Sequence, residues 1–235
     1  MVLGVHNWGD ADKMVTLFTQ ERGRIRAAAF GCRRARSPLA AGMQMFQHID
    51  CELTEGQKVD TIRQCSILRR YRRLSENLDA MAYGSFVAEL VSELMPEHVP
   101  EPAVFALLQE IFATFEYRNA RVTALIAAYQ LMEYSGMQLS YGHCVHCGKE
   151  LAGDARFSIS DGGALCEDCH AEKTIPYSEA LRQFILSLRT FDWKQETELQ
   201  VKKQELLQAE QLLLHYLRTL FGKPLRSLEF LGQMG

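Results

Sequence analysis

Cys144-Val145-His146-Cys147-Gly148 opens the stretch from which the chain is most readily decoded, and Cys166-Glu167-Asp168-Cys169-His170 closes it. The pattern is C-x2-C, eighteen intervening residues, and C-x2-C. Two residues between cysteines let both thiolates of a tight knuckle point at one ion. Two knuckles supply four sulfurs, the closed tetrahedral shell that suits zinc. The intervening segment, Lys149 to Leu165, carries Asp161-Gly162-Gly163 as a turn between two short apolar runs, which predicts a small β-hairpin. The competing reading is four ordinary buried or disulfide-bonded cysteines, and the paired spacing argues against it. His143, His146 and His170 flank the knuckles as substitute ligands, but four thiolates already close the shell. A closed shell leaves no position for water, so the expected role of Cys144, Cys147, Cys166 and Cys169 is to hold one structural Zn2+.

Working outward, charge is the next signal. The formal net charge of −3 hides an asymmetry. Residues 1–80 hold thirteen Lys and Arg against nine Asp and Glu, whereas the remainder holds thirteen against twenty. A basic first third on an acidic remainder points to a polyanionic partner for that third. The first twenty residues contain Asp10 and Asp12 and no continuous apolar core, unlike a secretory signal. No apolar run approaches the ~18 residues of a membrane helix. Seven cysteines, four of them in knuckles, suit a reducing cytoplasm. Cys32, Cys51 and Cys65 read as small buried hydrophobes.

The first 73 residues read as strands. Met14 to Thr19, Ile25 to Cys32, Met43 to Leu53 and Val59 to Leu68 are β-branched or alternating, with turns at Glu21–Arg24 and Thr54–Gln57 and a loop from Arg33 to Gly42. About five short strands in so short a span predict a small barrel. The period then becomes helical: Leu74–Met95 with Ser75 as N-cap, Ala103–Phe115, Asn119–Tyr134, Tyr177–Phe191 and Glu205–Phe221. The apolar stripes on these helices read as core. The fold class is therefore α+β.

Arg22, Arg24, Arg26, Arg33, Arg34 and Arg36 place six arginines in fifteen residues, with Glu21 the only acid among them. Arg24 and Arg26 alternate and so share one face of a strand. Arg69 and Arg70, within Arg69-Arg70-Tyr71-Arg72-Arg73, extend the basic surface. Arginine forks hold phosphates, and a basic groove with stacking aromatics holds single strands without reading sequence. Trp8, Phe18, Phe30 and Tyr71 are the candidate aromatics. Six neutralised phosphates predict a log–log salt slope of roughly −4 on a single strand. The phosphate-loop and dinucleotide fingerprints are missing, so nucleotide hydrolysis and dinucleotide redox chemistry lose support. Asp10 and Asp12 read as a solvated turn rather than a nuclease metal pair.

In order and spacing the chain resembles the bacterial recombination-repair family RecO over nearly its whole length. The residues that carry the resemblance are Gly9-Asp10-Ala11-Asp12-Lys13-Met14-Val15-Thr16-Leu17-Phe18-Thr19, Gly23 to Pro38 with Gly31, Arg33, Arg34, Arg36 and Ser37, Met81-Ala82-Tyr83-Gly84-Ser85-Phe86 with Glu89-Leu90, and Leu217 to Leu231 with Gly222-Lys223-Pro224-Leu225-Arg226-Ser227 and Phe230-Leu231. The resemblance implies an N-terminal five-stranded OB-fold barrel over residues 1–78, a helical domain over 79–142 and 171–235, and a zinc-binding module over 143–170. It implies a non-catalytic mediator of DNA repair and homologous recombination. Such proteins bind single- and double-stranded DNA, anneal complementary strands and, with RecR, help load RecA onto DNA coated by SSB. Zinc is variable in the family, and the four cysteines place this chain nearer its metal-bearing branch. The family's helical domain can hold the C-terminal tail of SSB; Arg118 and Arg121, ahead of Leu125, Tyr129 and Met132, are the candidate residues. A cytoplasmic, nucleoid-associated location follows from the same resemblance. Two other classes compete. One is a zinc-ribbon protein–protein adaptor touching nucleic acid only through bulk charge. The other is a zinc-dependent nuclease or deacylase, which needs an open metal position.

Overall fold

The computed structural model describes residues 1–195 and 199–228. The chain divides into two compact units, one of residues 1–124 together with the segment that starts at Leu225, the other Leu125–Pro224.

The first unit opens with β1 (Val2–Trp8), β2 (Asp12–Thr19), β3 (Gly23–Ala29), β4 (His48–Thr54) and β5 (Asp60–Arg69). The sheet order is β1-β2-β3-β5-β4, antiparallel except for the short parallel match of Ala27 with Asp60 and Ala28 with Thr61. The Val2 N–H donates to the Gln47 carbonyl and the Phe46 N–H to the Val2 carbonyl, both at 2.9 Å. These bonds tie β1 to the chain entering β4 at the opposite edge, closing the sheet into a partly open barrel. Alternation decides what lies inside. Val15 and Leu17 from β2 and Ile25, Ala27 and Ala29 from β3 are buried together with Ile49 and Ile62, while Arg24 and Arg26 lie on the other face of β3. Cys32 is in this core and Cys51 and Cys65 pack against it. Burial pushes all three thiols above the usual cysteine range.

Two strand limits differ from expectation for local reasons. β1 escaped the sequence reading because Gly4 interrupts its apolar run at an irregularity in the register between Val2 and Gly4. β4 begins at His48 rather than Met43, because Phe46 takes a left-handed φ of 67° that no strand continues through. Beyond its two pairings with β5, β3 meets a different neighbour. The His98 N–H donates to the Arg24 carbonyl at 3.0 Å, and Arg24 bridges Glu97 in parallel. Gly23, at φ +63°, makes room for this segment: a Cβ there would stand 1.9 Å from the Val99 carbonyl oxygen.

Helices α1 (Arg72–Glu76), α2 (Leu78–Leu94) and α3 (Pro102–Thr114) follow. The single helix expected from Leu74 is split, because Asn77 is extended and caps α2 by accepting from the Ala80 N–H at 2.9 Å. Ser75 lies within α1 instead, its hydroxyl bonded to the Tyr71 carbonyl. Phe112 of α3 meets Phe46 and Tyr71 edge-on at 5.6 Å each, and Phe105 meets Phe18 at 6.3 Å. Each such ring pair adds about 0.5–1.5 kcal/mol beyond its buried area, so α3 is firmly seated on the barrel.

The limit between the units falls within α4 (Ala120–Tyr134). The second unit carries a small sheet of β6 (Ala155–Ser158), β7 (Gly163–Leu165) and β8 (Ile175–Tyr177), ordered β7-β6-β8, then α5 (Glu179–Arg189) and α6 (Lys203–Phe221). β6 and β7 form the hairpin predicted between the knuckles. β8 takes Tyr177 into the sheet opposite Ala155, so α5 starts two residues later behind its cap, Ser178. Gln130 organises the end of α5: its amide donates to the carbonyls of Leu188 and Phe191 and accepts from the Trp193 indole. Gly222, at φ +65°, ends α6. Phe230 and Leu231, part of the tail resemblance, lie outside the described residues. No helix among the described residues is long and apolar enough to cross a membrane.

Candidate nucleic-acid interface and metal centre

The knuckles are brought together by the β6–β7 hairpin and their own turns. The Gly148 N–H donates to the Cys144 carbonyl and the Cys144 N–H to the Lys149 carbonyl, both at 2.8 Å. Gly148 supplies the φ of +74° that the first turn needs. Arg156 of β6 fixes the second knuckle, its guanidinium donating to the carbonyls of Glu167 at 3.1 Å and Cys169 at 3.0 Å. The sulfurs of Cys144, Cys147, Cys166 and Cys169 lie within 4.8 Å of one another. Zinc–sulfur bonds of about 2.3 Å would set neighbouring sulfurs about 3.8 Å apart. The Cys147 and Cys166 sulfurs stand at 3.7 Å.

This cluster can hold a metal ion. Burial opposes ionisation of Cys144, but the N–H groups of Cys166, Cys147 and His146 outweigh it and bring its pKa down to about 6. Cys169 is pushed up to about 12, first by its hydrogen bonds with Cys166 and Cys144. The flanking histidines are engaged elsewhere or apart. His146 faces Asp161 at 2.8 Å, His170 faces Arg156 at 3.3 Å, and His143 is not in the cluster.

The arginines divide into two groups. Arg22, in the β2–β3 turn, pairs with buried Asp60 at 2.8 Å and with Glu55 at 3.4 Å. Arg24 donates to the Met95 carbonyl at 2.9 Å and to Glu97 at 3.0 Å. Both guanidiniums thus have protein partners. Arg26 is exposed on β3. Arg33, Arg34 and Arg36 are exposed in the loop beyond β3. Arg33 reaches the Gly9 and Asp10 carbonyls at 3.3 and 3.2 Å, which leaves part of its fork outward. Arg69 lies over the Tyr71 ring at 5.0 Å, and Arg70 is exposed.

The aromatics divide likewise. Phe18 and Tyr71 are core residues, whereas Trp8 and Phe30 are 45% and 53% exposed, with ring centroids 5.8 Å apart. Arg118 and Arg121 are half-buried near the start of α4. Leu125, Tyr129 and Met132 are buried, and Tyr129 donates to the Ala209 carbonyl at 2.9 Å. The sequence did not reveal Arg156 as the brace of the second knuckle; a lone basic residue thirteen positions before Cys169 carries no recognisable signal.

A partly open five-stranded barrel followed by helices, with a four-cysteine small sheet inserted among them, makes an α+β protein of two successive parts, and each part matches a family model. Residues 1–71 match the family model Recombination protein O N terminal, and residues 75–229 match Recombination protein O C terminal. The chain belongs to the RecO family of DNA repair proteins, recombination mediators that carry out no catalytic step. It is 37% identical over 177 residues to DNA repair protein RecO of Symbiobacterium thermophilum, an alignment spanning 73% of this chain and 70% of the relative. It is 30% identical over 237 residues to DNA repair protein RecO of Bacillus pumilus, spanning all of this chain and 92% of the relative. With its counterpart in Bacillus subtilis the identity is 28% over 237 residues, spanning 92% of the relative.

Proposed function

We propose that this chain binds single- and double-stranded DNA through the barrel, anneals complementary strands and, with RecR, helps RecA replace SSB on single-stranded DNA in the bacterial cytoplasm. The observation that carries the reading is the run of exposed guanidiniums at Arg26, Arg33, Arg34 and Arg36 on a barrel of the RecO family. Two complementary strands repel through their phosphates. A surface of fixed positive charge screens that repulsion and concentrates both strands, so pairing becomes nearly intramolecular. No covalent bond changes, and no nucleotide is needed.

We assign DNA contact to Arg26, Arg33, Arg34, Arg36, Arg69 and Arg70, and a supporting role to Arg22 and Arg24, which hold the barrel's other end through ion pairs. The division of labour follows residues 1–78 for DNA, 79–142 and 171–235 for partner contacts, and 143–170 for metal. One Zn2+ on Cys144, Cys147, Cys166 and Cys169 would neutralise the thiolates and fasten the β6–β7 hairpin to both knuckles. The acidic tail of SSB would dock at Arg118 and Arg121, where exposed Tyr117 supplies an apolar surface.

Annealing of two labelled complementary oligonucleotides, without nucleotide, across a salt series tests this reading. Fast annealing that fades steeply with salt is expected. Binding without annealing would instead favour an adaptor that gathers proteins, and absence of both at low salt would overturn the DNA assignment.

A further inference from the structure

We propose that Trp8 and Phe30 form a stacking platform that takes an unpaired base of a single DNA strand, with Arg33 and Arg34 holding the flanking phosphates. The proposal rests on the DNA-binding reading above and specifies how that surface tells unpaired from paired DNA.

The platform is built by register. Trp8 pairs with Asp12, and Lys13 pairs with Ala29, so the next step along β3 brings Phe30 level with Asp12 and in line with Trp8. Phe30 follows Arg24, Arg26 and Ala28 on alternate positions, so it shares their face of the sheet, where Ala28 is covered and Arg26 and Phe30 are exposed. The two rings are tilted by 46° with centroids 5.8 Å apart, and about half of each remains open to solvent.

The backbone on either side of the rings is bonded together. The Asp12 carboxylate accepts from the Gly31 N–H at 2.7 Å. The Arg33 N–H donates to the Ala11 carbonyl at 2.8 Å, and its guanidinium spans the Gly9 and Asp10 carbonyls. The β1–β2 turn and the chain leaving β3 are thereby laced into one surface. Gly31, at φ +64°, turns the chain so that Arg34 passes over it, the guanidinium carbon 3.8 Å from where a Cβ would stand. Two large apolar rings open to water, with the exposed guanidiniums of Arg33 and Arg34 on the adjoining turn and loop, fit a ligand that is flat, apolar on its face and negatively charged along its edge. A nucleotide base on its phosphate chain has that chemistry, and the strands 2–3 face of such barrels is where oligonucleotides lie. Asp10, at the tip of the turn, is the nearest carboxylate in sequence left exposed.

A base stacked here is out of a duplex. Pairing with a complementary strand withdraws it, so the platform holds the reactant of annealing and releases the product.

The test uses the full chain carrying Trp193→Phe, which leaves Trp8 as the sole indole of the two in the sequence. Oligothymidine is expected to quench Trp8 emission, reversibly with salt, and a blunt duplex to leave it nearly unchanged. Trp8→Ala and Phe30→Ala are each expected to weaken single-strand binding by about 5- to 150-fold while sparing duplex binding. Trp8→Phe retains a ring and should keep most of the affinity. Full single-strand binding without change in Trp8 emission would overturn the platform and leave the arginine interface standing. Equal losses on single strand and duplex would also overturn it, as would normal DNA binding with loss only of a protein partner. Failure of the parent chain to bind any DNA would bring down the underlying reading and the platform with it.

Discussion

The two ends of the β2–β3 hairpin carry the same residue type and use it differently. At the turn end, Arg22 meets Asp60 and Glu55, and Arg24 meets Glu97 and the Met95 carbonyl. These acids come from β5, the β4–β5 turn and the segment after α2, far away in sequence. At the opposite end, Asp12 is engaged by the Gly31 N–H, and Arg34 and Arg36 stand exposed in the loop that follows Phe30. One end uses arginine to join pieces of the protein; the other presents it to solvent. The number of positive charges is similar, and what differs is where the chain brings its carboxylates. A basic run therefore identifies a ligand surface only after the internal partners have been assigned.

That contrast is open to direct attack. The largest effect on DNA is expected at the open end. Replacing Arg33, Arg34 and Arg36 together with alanine removes three phosphate contacts, which should weaken single-strand binding about 50-fold near 0.15 M salt and flatten the salt slope by about 2. Fluorescence anisotropy across a salt series measures both quantities, and an unchanged slope would refute the assignment. Arg26→Ala removes one contact and should cost about fourfold, read in the same titration. At the turn end, Arg22→Ala should change DNA affinity by less than about twofold while destabilising the barrel by roughly 1–3 kcal/mol, because Asp60 is left buried without its cation. A thermal melt and a binding curve on the same sample separate these effects, and a loss of affinity equal to that at Arg33–Arg36 would erase the distinction between the ends. The smallest DNA effect is expected from Cys166→Ala. Elemental analysis is expected to find one zinc per chain in the parent and none in this variant, which should yet bind DNA within about twofold of the parent.

Much of the barrel was legible because alternation is local: Val15, Leu17, Ile25 and Ala27 declare their face within a few residues. The knuckles were legible for the same reason, since C-x2-C is a local geometry, and the hairpin between them followed from Asp161-Gly162-Gly163. Features that depend on distant partners were not. Nothing near Arg22 reveals that Asp60 will meet it, and nothing near Trp8 reveals that Phe30 will stand beside it while Phe18 and Tyr71 go inside. Tyr177 read as helix because its apolar neighbours fit that period, and only its pairing with Ala155 makes it strand. Asn77 shows the same limit on a smaller scale: both it and Ser75 are good caps, and the choice between them was made by the extended backbone at Asn77.

Gly23 also decides what covers the free side of β3. β3 pairs with β5 over only two residues, and its remaining length would be a naked ladder inviting a strand from another molecule. The segment carrying Glu97, His98 and Val99 lies along that ladder because Gly23 has no side chain to push it away. Any larger residue there would meet the Val99 carbonyl and push this segment off the ladder. The absence of a side chain at Gly23 thus lets the chain's own Glu97–Val99 segment occupy an edge that would otherwise be open to pairing.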